Sequence, residues 1–214
     1  MTETQPFGLI ESMFATVGGA PRLDQHLARM INSASELGIP CDEHVLEVSV
    51  METLQTIWNP TKVRVELGPD GRVAVDAVPL APLPNEPVAI IAKLRLPADD
   101  PLLRHKTTRR RVYDLERERL KNVPNGFDVI FLNDRDEIAE GAITNLFAEF
   151  GSELVTPPID CGLLPGIMRA EAIAELGIQE RILTLENLRA ADRVVLTNAV
   201  RGAVPVTIDF DFED

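Results

Sequence analysis

Apolar residues dominate Phe7-Gly-Leu-Ile-Glu-Ser-Met-Phe-Ala-Thr-Val17, which predicts a strand ended by Gly18-Gly19. Glu11-Ser12 interrupts the run, and a polar pair inside a buried strand either faces solvent or lines a site. The period then lengthens. Leu27, Met30, Ile31, Ala34 and Leu37 recur at helical spacing, with Asp24 as N-cap and Gly38 as stop. Arg29 falls on the other side of that wheel, the position of a surface arginine. Asp42 caps a second predicted helix with Val45, Leu46, Met51, Leu54 and Ile57 as its apolar face. Thr61 to Leu67, Pro69-Asp-Gly71 and Arg72 to Asp76 read as strand, turn and strand. In the first of these, Val63, Val65 and Leu67 alternate with Lys62, Arg64 and Glu66, so one face is buried and the other charged.

After a proline-punctuated loop, Val88 to Leu96 is a further strand, and Pro97-Ala-Asp-Asp-Pro101 breaks the chain. That break predicts two domains, 1–100 and 101–214. Residues 109–120 carry a helical pattern that sets Tyr113 two turns beyond Lys106, and Asn122-Val-Pro-Asn-Gly126 ends it. Phe127 to Leu132, the turn Asn133-Asp-Arg-Asp136 and Ile143 to Phe150 form a second strand-rich region. Leu163-Leu-Pro-Gly-Ile-Met168 leads into a helix with Pro165 near its first position, and Val194-Val-Leu196 runs into the loop Thr197-Asn-Ala-Val-Arg-Gly202. The pattern as a whole is that of a mixed α/β chain.

Composition narrows the function classes. A formal net charge of −13 repels a phosphate backbone, so nucleic acid is not an expected partner. No apolar run reaches the length of about 20 residues that spans a bilayer, and Met1 to Pro6 lacks the basic start and apolar core of a signal peptide, so the expected location is the cytoplasm. Cys41 and Cys161 lie far apart without CxxC spacing, in keeping with a reducing compartment. His26, His44 and His105 stand apart from Cys or acidic residues at metal-ligand spacing, and GxxxxGK[ST] is absent, which excludes a metal centre and a P-loop as expectations.

Against this acidic background, Arg104 to Arg111 is a basic cluster suited to a small anionic ligand. It contains Lys106, one of only four lysines among 21 basic residues. A lysine amine can condense with a carbonyl, which arginine cannot, and neighbouring cations with partial burial favour its neutral, reactive form. Two later segments, at 163–168 and 197–202, offer backbone N–H groups at a helix start and a turn, a usual way of holding phosphate. Glu140-Gly-Ala-Ile-Thr-Asn145 supplies a carboxylate, and a carboxylate beside a pyridine nitrogen keeps that nitrogen protonated.

His105-Lys106-Thr107-Thr108 with Tyr113-Asp114, Glu140-Gly-x-x-x-Asn145-Leu-Phe, Leu164-Pro-Gly-Ile167 and Asn198-Ala-x-Arg-Gly202 occur in the order and spacing of the fold-type-IV pyridoxal-phosphate enzymes. Ile10-Glu-Ser-Met13 and His26-Leu-Ala-Arg29 resemble the N-terminal motifs of the same class-IV aminotransferase family. The resemblance implies two domains, an N-terminal α/β sandwich and a C-terminal barrel-like β domain with helices, with pyridoxal 5′-phosphate in the cleft between them. It makes Lys106 the Schiff-base lysine and Glu140 the partner of the pyridine nitrogen. Arg29, Ile167, Asn198 and Ala199 would surround the phosphate, and Tyr113 and Asn145 would lie near the ring. Ser12, Arg64 and Arg201 are candidates for the substrate side.

Within the family, the HKTT segment and the Asn-Ala-Val-Arg-Gly loop look most like aminodeoxychorismate lyase. That likeness implies release of 4-aminobenzoate and pyruvate from 4-amino-4-deoxychorismate for folate synthesis. A class-IV aminotransferase of branched-chain or D-amino acids is the alternative, and a binding protein of the same fold without catalysis is the third reading. The resemblance also implies a homodimer acting on a small molecule, with aminodeoxychorismate synthase as a further expected partner.

Overall fold

The structure is a computed structural model and describes residues 6–212. It divides into two compact units. The first runs to Ala81 and takes in His105–Arg109. Its elements are β1 (Leu9–Ala15), α1 (Leu23–Leu37), α2 (Glu43–Leu54), β2 (Thr61–Leu67) and β3 (Val73–Pro79). The strands form an antiparallel sheet in the order β1-β2-β3. Because side chains alternate along a strand, Leu9, Met13, Ala15, Val63, Val65 and Leu67 turn to one side, where Met30 and Ala34 of α1, Leu46 and Val50 of α2, and Ile57 beyond α2 close the core.

The helices begin and face differently from their sequence pattern in two respects. α1 starts after Arg22, whose φ of 66° is left-handed, so Asp24 sits inside the first turn, complementing the helix dipole instead of capping it. Asp42 does cap α2, accepting from the His44 and Val45 N–H groups. On α2, however, Leu46 and Val50 are the buried residues, while Val45 and Met51 are exposed. The four-residue step from 46 to 50 points at the sheet, and 45 and 51 fall to either side of that line.

The second unit comprises Pro82–Arg104 and Arg110 onward. Its elements are β4 (Val88–Leu96), α3 (Arg111–Arg119), β5 (Gly126–Asn133), β6 (Ile138–Gly141), β7 (Asn145–Phe150), β8 (Glu153–Thr156), α4 (Ile167–Leu176), β9 (Gln179–Glu180), α5 (Leu185–Ala190), β10 (Arg193–Asn198) and β11 (Gly202–Asp209). The eight strands run in the order β6-β5-β4-β11-β10-β7-β8-β9. β4 is parallel to both neighbours, and β8 to β9. The two ends of that order are joined: Ile138 N–H donates to the Leu183 carbonyl just past β9 at 2.7 Å, and Glu137 bridges Thr184. The sheet therefore curls into a barrel-like form around Phe127, Ile130, Leu132, Leu146, Val155 and Leu196.

The break at Pro97–Pro101 does not separate the units. β4 pairs with β5 and β11, so the chain has already entered the second unit before it, and His105–Arg109 then returns to the first through the Leu9–Thr107 bridge. Other corrections are local. The helix expected over 109–120 begins at Arg111, so Lys106 lies outside it and Tyr113 is not two turns further along one helix. Residues 142–144 form a turn, so β7 starts at Asn145, and Glu140 belongs to the short strand β6. Gly166 is the N-cap of α4, which places Pro165 one residue before the cap. Among the described residues, no helix is long and apolar enough to cross a membrane.

Candidate active site

In the second unit, five of the expected residues are drawn together by their own polar groups. Glu140, at the end of β6 and 5% exposed, accepts the Tyr113 hydroxyl at 2.8 Å on one oxygen and the Leu164 N–H at 3.0 Å on the other. Asn145 opens β7 and donates to the Leu164 carbonyl at 2.9 Å. Leu164 is thus held through both its N–H and its C=O, which fixes the approach of Pro165-Gly166 to the N-terminus of α4, where Ile167 stands. Gly166 is required there: a Cβ would lie 1.9 Å from the Asn145 Oδ1. Asn198, the last residue of β10, donates to the Ile143 carbonyl at 3.2 Å and accepts from the Val200 and Arg201 N–H groups at 3.0 and 2.8 Å. That side chain shapes the loop carrying Ala199 and Arg201, and ties it to the 141–144 turn.

The proton between Tyr113 and Glu140 has a defined owner. Burial, then the charge of Glu140 and the hydrogen bond to it, push the Tyr113 phenol far above its ordinary range, so it remains the donor. Its ring packs edge-on to Phe131 at 5.1 Å, and the Arg110 guanidinium covers its face at 4.9 Å while donating to the Ala142 carbonyl at 2.7 Å.

The turn from Glu140 to Asn145 rests on Asp128, which the sequence reading did not single out. Its carboxylate accepts from the Thr144 hydroxyl at 2.7 Å, the Ile143 N–H at 3.2 Å and Arg117 at 3.0 Å. Burial raises its pKa, against the opposing effect of Arg117 and the hydrogen bonds. Gly141 is needed here because a Cβ would meet the Thr144 Oγ1 at 2.1 Å and the Asp128 Oδ2 at 2.5 Å. The available signal was a single Asp inside the apolar run Gly126-Phe-Asp-Val-Ile-Phe131.

Lys106, Arg29, Ser12 and Arg64 belong to the first unit. Lys106 is anchored by its backbone: its carbonyl accepts from Ile10 N–H at 2.8 Å, and Thr108 N–H donates to Gly8 at 2.9 Å. On one side of it, the His105 Nδ1 lies 2.9 Å from the Ser33 hydroxyl of α1; on the other, Arg109 covers the Phe7 ring at 4.5 Å. This antiparallel register sets Lys106 opposite Ile10 of β1. Ile10 shares its face with Ser12, and the sheet register places Ser12 across from Arg64, with Phe14 across from Lys62. Ser12, Lys62 and Arg64 therefore emerge on the face away from α1 and α2, Arg64 in contact with Glu66 at 3.2 Å. Lys62 and Arg64 carry the positive charge of that face, matched there by Glu66 and Asp76. Arg29 is not a loose surface residue. It pairs with Glu11, a residue of the buried face of β1.

Chemically, the cluster in the second unit suits an anion bound next to a protonated heterocycle. The α4 N-terminus supplies N–H groups and positive dipole. Beside it, Thr197 is 6% exposed and its hydroxyl has no partner among the described residues; the register puts it across from Asn145, on the same face of the sheet. An orphaned, buried hydroxyl is costly unless a further group completes it. The residues present thus fit a phosphate-bearing pyridine cofactor.

The sequence model of the amino-transferase class IV family matches residues 8–208. The chain belongs to that family. Among solved structures, this class-IV chain is similar to a putative amino-acid aminotransferase from Mesorhizobium loti, with a TM-score of 0.89 and 37% identity, covering 95% of this chain and 100% of that one. It is 28% identical over 186 residues to a putative aminodeoxychorismate lyase from Schizosaccharomyces pombe, covering 84% of this chain and 80% of the relative. It is 33% identical over 91 residues to a probable branched-chain-amino-acid aminotransferase from Thermotoga maritima, a match spanning 40% of this chain and 33% of that protein. The mixed α/β architecture with a curled sheet is the fold-type-IV architecture, shared at a TM-score of 0.81 with a putative 4-amino-4-deoxychorismate lyase from Legionella pneumophila.

Proposed function

We propose that this class-IV enzyme is a pyridoxal-phosphate-dependent lyase converting 4-amino-4-deoxychorismate to 4-aminobenzoate and pyruvate, and so serving folate synthesis. Support for the cofactor comes from the two-sided hydrogen bonding of Glu140 and the orphaned Thr197 hydroxyl by the α4 N-terminus. When bound, the cofactor supplies a sink for the electrons of the carbon that bears the substrate nitrogen. Lys106 would hold its aldehyde and, as an amine, carry the proton at that carbon. Glu140 would accept from the pyridine N–H, its carboxylate held in place by Tyr113 and the Leu164 N–H. Arg29, the N–H of Ile167 and the loop at Asn198 and Ala199 would take the phosphate.

The observation that carries the lyase over a branched-chain aminotransferase is the pairing of Ser12 with Arg64 across β1 and β2. A hydroxyl and a guanidinium side by side on the face away from α1 and α2 suit a substrate carboxylate, whereas an aliphatic side chain needs an apolar lining. The proposed substrate carries two carboxylates, one on the ring and one on the enolpyruvyl group. Removal of the ring proton and departure of that group as pyruvate leave an aromatic product, so the protein's share of the work is orientation and proton transfer. Arg201, whose N–H is fixed by Asn198, is a further candidate on the substrate side.

The likeness to the M. loti protein, described as an aminotransferase, favours the second reading: an aminotransferase with the same cofactor residues. Separate incubations decide between them. With aminodeoxychorismate alone, the lyase releases pyruvate and a fluorescent aromatic amine. Turnover of an amino acid with 2-oxoglutarate, without that release, would overturn the lyase. The family's homodimer is part of the proposal, and a monomer by sedimentation would remove it.

A further inference from the structure

We propose that Glu11, strapped by His26, is a positioning residue that presets the Arg29 guanidinium for a phosphate; this rests on reading Arg29 as a cofactor-phosphate ligand. Arg29 donates from Nε to Glu11 Oε1 at 2.7 Å and from Nη2 to Oε2 at 2.8 Å. These two bonds lie along one edge of a planar fork and lock its orientation, turning the Nη1 corner away from Glu11. Glu11 is 2% exposed, on the face of β1 that meets α1, and His26, one helical turn before Arg29, approaches its Oε2 at 2.7 Å through Nδ1.

The protonation states follow from the surroundings. Burial alone would raise the Glu11 carboxyl, but hydrogen bonds from His26 and Arg29 with the Arg29 charge outweigh it and hold the group at about 2. An ionised carboxylate only accepts, so the proton of the His26 contact resides on Nδ1. Three side chains from one strand and one helix thus form a chain His26 to Glu11 to Arg29. At its end, the guanidinium is still 17% exposed.

A plain ion pair would neutralise charge with a single contact. Two in-plane bonds and a histidine strap instead remove the rotamer freedom of a long side chain before any ligand arrives, so that less is lost on binding. The sequence placed both acid and histidine in its N-terminal motifs, without a task for either.

The test compares two ligands that differ only in the phosphate. Wild type, Glu11→Gln and Arg29→Gln are titrated with pyridoxal phosphate and with pyridoxal, following Schiff-base absorbance, with folding checked by circular dichroism. We expect Glu11→Gln to weaken pyridoxal phosphate roughly tenfold or more while leaving pyridoxal unchanged, and to add nothing in the Arg29→Gln background. Should Glu11→Gln fail to fold, Glu11→Asp keeps the charge but shortens the reach to the fork, with the same expectation. Equal weakening of both ligands, or unchanged binding of pyridoxal phosphate, would overturn the positioning role alone. A wild type that binds neither ligand would overturn the cofactor reading and this inference together.

Discussion

Tyr113 and Glu140 show how far single groups can be assigned a state. The phenol is pushed up by burial and by the acid it serves, so it donates under all physiological conditions. Tyr113→Phe removes a hydrogen bond from a buried carboxylate. Stability should fall by about 1–2 kcal/mol in urea unfolding, and kcat by about tenfold, with a smaller change in KM. Glu11 gives a pH prediction of definite sign. Its folded value lies below the ordinary 4.5, so its stabilisation is fully present above about 4.5 and is lost as pH falls towards 2. That depression corresponds to about 3 kcal/mol. In urea midpoints recorded across this acid range, wild type should lose that much more stability than Glu11→Gln, and parallel curves for the two proteins would contradict the assignment.

Elements, more than residues, separated what was legible from what was not. Strands β2 and β4 follow from apolar runs with turn chemistry at their ends and match their expected bounds, while β3, expected to end at Asp76, continues to Pro79. β11 did not announce itself, because Pro205 sits within it. The structure explains the tolerance: pairing with β4 begins only at Thr207, so at Pro205 the strand has a single neighbour, β10. β6 and β9 are too short to show a period and exist through their partners. The helix at α4 was legible by its Pro-Gly start, and its glycine yields a prediction. Gly166→Ala brings a methyl against Asn145, which should cost about 1–3 kcal/mol in unfolding and weaken pyridoxal phosphate in the same variant. Gly141→Ala should destabilise similarly, through Thr144 and Asp128.

For the whole molecule, the division into units is non-local and could not be read from a proline-rich break. It depends on β4 joining the curled sheet and on His105–Arg109 pairing back to β1. The motifs named the candidate residues of both units. They were silent on the polar bonds that assemble those of the second, since Leu164, Ile143 and Asp128 act through backbone groups or from a distant strand. If the second-unit cluster holds the cofactor, pyridoxal phosphate at about a hundred times its Kd should stabilise the protein by about 2.7 kcal/mol, seen as a rise in Tm. Pyridoxine, which lacks the aldehyde and the phosphate, should leave Tm unchanged.

Lys106 carries the cofactor reading, and borohydride reduction of the pyridoxal-phosphate-loaded protein, followed by peptide mapping, tests it most directly. A single reduced adduct on the peptide containing Lys106 is the predicted result. An adduct on Lys62, Lys93 or Lys121 in its place, or no adduct at all, would contradict it.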